Sequence, residues 1–214
     1  MNGYYPVVLQ LRGKRCVIIG GGVIAERKVL GLLEAGADDV LLVSPSVTAK
    51  IERLAEEGKL RLERREYKEE DANEAWLIFA ATNDKRVNAA IAADGARFGI
   101  LVNAADEPDN STFISPSVVR RGDLLLAVTA SGASPALSQR IKQELESQYG
   151  PRYEEITNQL RRLRDRTLDL IIDEQERRAV LKLAAEEAVQ FNHNHFDTDE
   201  WLKSLYHRID RRHT

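Results

Sequence analysis

The chain of 214 residues holds a single cysteine, Cys16, so it cannot form an internal disulfide. Cys16 lies in an apolar run and reads as packing, not as a nucleophile. No stretch reaches the apolar length that spans a bilayer. Residues 1–10 lack a basic start followed by a long apolar run, so a signal peptide is not expected, and the expected location is cytoplasmic. Charge of one sign is not in excess. A net charge of −3 leaves no footprint for nonspecific nucleic-acid binding, so neither nucleic acid nor membrane is expected as a partner. Histidine is scarce, at four residues, and no His-Glu-x-x-His motif occurs. His193 and His195 form an H-x-H pair, which shares a metal only in an extended loop that gains a third ligand. They read as loop residues, and no metal site is expected.

What is present is ordinary in amount and specific in arrangement. Hydrophobic content of 43% and charged content of 30% suit a globular chain able to bury a core. The organising stretch is Cys16-Val-Ile-Ile-Gly-Gly-Gly-Val-Ile-Ala-Glu-Arg-Lys28. A short apolar strand passes through three glycines into a helix. Gly20, Gly22 and Ala25 fit G-x-G-x-x-G/A at that junction. Gly20 permits the tight turn, Gly22 lets a pyrophosphate approach the backbone, and Ala25 lets the helix lie close on the strand. The helix start, with Val23 and Ile24, turns its N–H groups and positive dipole end to the phosphates.

A second apolar run, residues 40–43, ends in Ser44-Pro45-Ser46, where a dinucleotide fold usually carries an acid for the adenosine ribose. No acid is there; Ser44, Ser46 or the loop backbone can bond the ribose instead. No arginine follows to hold a 2′-phosphate, so NAD is favoured over NADP. Residues 47–57 read as a helix, residues 60–67 as a strand near a sheet edge, and residues 68–73 as a polar link. Residues 76–81 form a buried strand that ends in Thr82-Asn83-Asp84. Thr82 and Asn83 stand where a parallel sheet meets its ligand, and they are also placed to cap the helix over residues 85–98. Residues 100–104 are a fifth strand. The alternation predicts a parallel sheet with helices on both faces.

Beyond residue 106 the texture changes. Residues 113–119 and 124–129 read as two strands of a hairpin turned by residues 120–123. Ser134 and Pro135 suit the N-cap and first position of a helix that runs to about residue 149. Residues 151–214 read as all-helical, with Thr198 the expected cap of the last helix. The middle hairpin and helix are too small to bury themselves, which predicts a homodimer.

Several segments together resemble the precorrin-2 dehydrogenase family of siroheme synthesis. They are Pro6-Val-Val-Leu-Gln-Leu11, the segment from Gly20 to Lys28, Ala80-Ala-Thr-Asn-Asp84, Val102-Asn-Ala-Ala-Asp106, Phe113-Ile-Ser-Pro116 and Ser131-Gly-Ala-Ser-Pro135. That family includes the N-terminal part of the trifunctional siroheme synthase and a yeast dehydrogenase/ferrochelatase. The resemblance covers about residues 5 to 150, and the helical tail resembles the family only in kind. It implies NAD-dependent oxidation of precorrin-2, a polycarboxylate tetrapyrrole, to sirohydrochlorin; some members also insert ferrous iron. It implies an α/β chain with an N-terminal Rossmann-like domain (1–112), a small middle α/β dimerisation module (113–150) and a C-terminal helical domain (151–214).

In the family an aspartate just after the fifth strand is the important site residue, and Asp106 falls on that position. Oxidation sends a hydride to the nicotinamide and a proton to a base; Asp106 can accept that proton or orient the macrocycle. Apart from the family, Asp106 reads first as a turn former before Glu107-Pro108. Asn103 is a second polar candidate in the same cleft. Arg120, Arg121, Arg140 and Lys142 are candidates for a basic rim facing the substrate acids. Where some members carry a modifiable serine, this chain has Ala130. Two other readings compete: a bifunctional dehydrogenase and ferrochelatase, and an NAD-sensing regulatory module. A short-chain dehydrogenase is excluded, because no Tyr-x-x-x-Lys pair occurs.

Overall fold

The computed structural model describes residues 3–105, 107–190 and 197–210. Two compact units divide the chain, Met1–Ser115 and Pro116–Thr214.

The first unit runs β1 (Arg15–Ile19), α1 (Val23–Glu34), β2 (Asp39–Val43), α2 (Ala49–Glu56), β3 (Arg61–Glu63), α3 (Glu69–Asn73), β4 (Leu77–Ala80), α4 (Lys85–Phe98) and β5 (Leu101–Ala104). Its five strands are all parallel, in the order β3-β2-β1-β4-β5. The order reverses between β1 and β4, so the loops leaving those two strands part and open a crevice at their carboxyl ends. Both faces of the sheet are covered, which is why β1, β2 and β4 are apolar and buried over all but the first residues of β1 and β2. Cys16, Ile18, Val40, Leu42, Leu77 and Phe79 face one layer with Ala25, Val29 and Leu32 of α1. Val17, Ile19, Leu41, Val43, Ile78 and Ala80 face the other with Ile91 of α4. Fully buried side chains such as Ile18, Leu42 and Ile78 each stabilise the unit by about 1.5–3 kcal/mol.

Two expectations for this unit need correction. Residues 68–73 are not only a link: they contain α3. The Lys68 amide donates to Asp71 Oδ2 at 2.9 Å, and Arg65 grips the same carboxylate with two nitrogens at 2.8 and 2.6 Å. The strand expected over residues 60–67 shortens to β3, because Arg65 turns away toward Asp71.

In the second unit β6 (Ser117–Arg121) and β7 (Leu124–Val128) pair antiparallel across Gly122, whose φ of 55° suits the first position of a two-residue hairpin turn. The hairpin therefore begins later than residue 113. Phe113 instead stays with the first unit, its ring 5.5 Å from that of Phe79. Thr112 and Ser111 hydrogen-bond the open edge of β5, which protects that edge from further pairing.

Four helices follow: α5 (Pro135–Gln148), α6 (Arg152–Leu170), α7 (Glu174–Gln190) and α8 (Thr198–Asp210). Ser134 caps α5 through Leu137 N at 3.2 Å. Asp197, not Thr198, caps α8, accepting from the amides of Asp199 and Glu200. A carboxylate outcompetes a hydroxyl at an N-terminus because it also meets the helix dipole. Leu163, Val180, Ala184, Trp201, Leu202 and Leu205 form the core of these helices. No helix among the described residues is long and apolar enough to cross a membrane.

Candidate functional site

The glycine-rich turn sets the site. Gly20 holds φ at 118°, and a Cβ there would lie 2.3 Å from the Ala81 carbonyl oxygen. Its amide donates to Val43 O at 3.0 Å, so the turn bridges the ends of β2 and β4. A Cβ on Gly21 would lie 1.9 Å from the Ser46 carbonyl oxygen. Sequence reasoning missed this second glycine, whose need arises from a loop 25 residues onward. Gly22 is different: a Cβ there meets nothing within 4 Å. It is the N-cap of α1 and offers no side-chain oxygen. Thr48 and Asp84, by contrast, cap α2 and α4 with their side chains. The first-turn amides of α1 are left for an outside acceptor, and the open space at Gly22 admits a pyrophosphate. The residues present fit a dinucleotide. Val23 and Ile24 lie on that turn, Val23 at 76% exposure.

The β2–α2 loop packs against the glycines. Ser44 is buried, and its hydroxyl donates to Ser46 O at 2.7 Å. Ser44 therefore holds the loop's shape, while Pro45 and Ser46 are exposed. Thr48 N donates to Gly21 O at 3.0 Å, and the Thr48 hydroxyl donates to Glu26 Oε2 at 2.6 Å.

Across the crevice, the capping of α4 falls to Asp84, which accepts from Arg86 N at 2.8 Å. Thr82 is thus not the cap: its hydroxyl lies 2.8 Å from Oδ1 of buried Asn88. Asn83 is exposed. Asn88 Nδ2 also reaches Glu107 Oε1 at 3.1 Å. Hydrogen bonds from Asn110 and then Asn88 hold the Glu107 carboxyl below the usual glutamate value. Asn88 and Glu107 carried no sequence signal of their own.

Asn103 is buried at the end of β5, level with Phe79 and so on the α1 face of the sheet. Its Oδ1 accepts from Lys28 Nζ at 3.1 Å, and its Nδ2 donates to Phe113 O at 2.9 Å. Lys28 Nζ also donates to Ser115 Oγ at 2.9 Å and lies 4.7 Å from the Phe79 ring centroid. A cavity of about 170 Å³ opens here, walled by Ile24, Arg27, Lys28, Asn103 and Ser115. Ile24, Arg27 and Lys28 share a helix face by their i, i+3, i+4 spacing. That spacing was the signal available in the sequence for the cavity wall.

Asp106, His193 and His195 lie outside the described residues. Among the described residues no group of three His, Cys, Asp or Glu could hold a metal. Cys16 is fully buried, and burial with nearby Asp39 and Asp38 pushes its thiol up to about 11. Of the basic-rim candidates, all in the second unit, Arg140 pairs with Glu144 and Lys142 with Glu146 one turn on. Arg121 donates to Tyr149 O and Arg120 O.

Residues 7–117 match an NAD(P)-binding family. Over 153 residues the chain is 37% identical to a precorrin-2 dehydrogenase of Priestia megaterium, covering 72% of this chain and 75% of that one. A siroheme synthase of Methylococcus capsulatus is 38% identical over 175 residues, which are 82% of this chain and 37% of the relative. The chain spans about a third of the length of the siroheme synthases it matches. Among solved structures, SirC, a precorrin-2 dehydrogenase, superposes with a TM-score of 0.78 at 31% identity, over 94% of this chain and 98% of that one.

Proposed function

The chain belongs to the NAD(P)-binding family that includes the precorrin-2 dehydrogenases, and from that membership we propose that it oxidises precorrin-2 to sirohydrochlorin with NAD. The observation that carries this reading is a juxtaposition in the first unit. An α1 N-terminus without a side-chain cap stands beside a polar cavity at the carboxyl end of β5. The first is suited to a pyrophosphate, and the second to part of a substrate.

The oxidation removes a hydride and a proton. NAD, when bound, supplies the hydride acceptor. Gly20 and Gly22 shape its cradle, and the amides of Val23 and Ile24 meet its phosphates. Pro45 and Ser46 present their backbone and the Ser46 hydroxyl to the adenosine ribose, on a loop braced by Ser44. Thr82 and Asn83 flank the crevice from the β4 side. Asp106 takes the proton or orients the macrocycle. In the same reading residues 1–112 bind the cofactor, residues 113–150 form the contact of a homodimer, residues 151–214 are a helical domain, and the enzyme works in the cytoplasm.

The test is an anaerobic mixture of purified protein, precorrin-2 and NAD without metal, followed by NADH absorbance and the tetrapyrrole spectrum. NADH appearing together with sirohydrochlorin is expected, and Asp106→Ala should keep NAD affinity while losing turnover. Folded protein that binds NAD yet forms no NADH would overturn the assignment in favour of an NAD-sensing module. The name siroheme synthase borne by several relatives favours a second reading, ferrous-ion insertion into the product. Ferrous ion added to the finished reaction tests it by the spectrum of sirohaem.

A further inference from the structure

Helix α1 places two consecutive cations on the wall of the cavity, Arg27 and Lys28. They differ in how they are held. The Lys28 ammonium is fixed between Asn103 Oδ1, Ser115 Oγ and the face of Phe79. Arg27 is exposed, and among the described residues its side chain makes no hydrogen bond or ion pair. A guanidinium presents a fork of donors that matches a carboxylate with two parallel hydrogen bonds.

Size and charge narrow what enters. About 170 Å³ is below the roughly 300–1,000 Å³ of pockets that enclose a whole drug-sized ligand. The cavity takes an arm of a molecule, not a macrocycle. The exposed Arg27 guanidinium on its wall favours an anion. We propose that Arg27 is the specificity-determining residue for the substrate, its guanidinium receiving one carboxylate arm of the tetrapyrrole in the cavity that Lys28 and Asn103 shape. The identity of the arm rests on the precorrin-2 reading; the preference for a carboxylate rests on the cavity alone.

The test compares full-length wild type with Arg27→Gln and Arg27→Lys. Three quantities are read: KM and kcat for precorrin-2 at saturating NAD, the NAD dissociation constant, and binding of uroporphyrin, a non-substrate polycarboxylate macrocycle, by its absorbance shift. Arg27→Gln should raise KM and weaken uroporphyrin binding by about tenfold, with NAD affinity unchanged. Arg27→Lys should recover part of both, because it restores charge without the fork. Added salt should weaken the wild type more than Arg27→Gln. An unchanged KM and uroporphyrin affinity would overturn the proposal. So would a parallel loss of NAD affinity, which would give the guanidinium to a cofactor phosphate. If the wild type fails to oxidise precorrin-2, the functional reading falls by itself and the uroporphyrin titration still decides Arg27. Uroporphyrin that binds neither wild type nor variant counts against it.

Discussion

Asn88 and Glu107, 19 positions apart in the chain, are joined by a hydrogen bond of 3.1 Å from Asn88 Nδ2 to Glu107 Oε1. The same buried amide donates to Thr82 O at 3.2 Å. One side chain thus ties the loop after β4 to the segment after β5, whose Glu107 follows Asp106 in sequence. Asn88→Ala strands these partners and should cost about 2 kcal/mol of stability in urea denaturation. Turnover should fall further than NAD affinity. A urea midpoint equal to the wild type would show that the bridge carries no structural weight.

Neighbouring glycines should respond in opposite ways. Gly21→Ala drives a Cβ into the Ser46 carbonyl, and the required backbone shift should destabilise by about 1–3 kcal/mol. Gly22→Asp points into open space from an ordinary φ of −82°. It should melt like the wild type yet lose NAD, through bulk and through like charge beside the pyrophosphate. Normal NAD titration by Gly22→Asp would contradict the cradle.

Asp71 gives the first unit an acid-sensitive latch. Burial pushes its carboxyl up, but the hydrogen bonds from Arg65 and the Lys68 amide outweigh burial and hold it below the ordinary 3.8. A depressed carboxyl contributes its stability fully above about pH 4, and that contribution is lost as pH falls through the folded value. Asp71→Asn should therefore cost about 2 kcal/mol at pH 7. The gap to the wild type should be smaller at pH 3 than at pH 7 and should close as pH falls through the folded value. A gap of equal size at both pH values would rule the latch out.

Cys16 should be silent toward thiol reagents. Burial raises its thiol from 9.0 to about 11, so the thiolate is scarce at pH 8. A raised value also means that its contribution to stability holds below pH 9 and is lost as pH rises through 11. Iodoacetamide at pH 8 should label the protein in urea and not without it. Equal labelling rates in the two conditions would place the thiol at the surface.

The parallel sheet was legible because its central strands are short, mostly apolar and spaced by helices, and because Gly20, Gly22 and Ala25 mark one strand-to-helix junction. What stayed hidden depends on partners far along the chain. Lys28 meets Asn103 across 75 positions, and Arg65 turns from the sheet to grip Asp71. The run Phe113-Ile-Ser-Pro116 looks like a strand by residue type. The edge of β5 and the Phe79 ring claim its first residue instead. At Asp197-Thr198 two good caps stand side by side, and the carboxylate, drawn also by the helix dipole, takes the amides.

The bonds that lock Thr48 to Gly21 and to Glu26 form within the chain itself. The curve of the glycine-rich turn is therefore settled when the protein folds, before any ligand arrives. The ordering of this turn is met on folding, which leaves association that much less to freeze. Cofactor affinity becomes partly a property of the β2–α2 corner. A change at Thr48 can weaken the hold on a dinucleotide that it never touches.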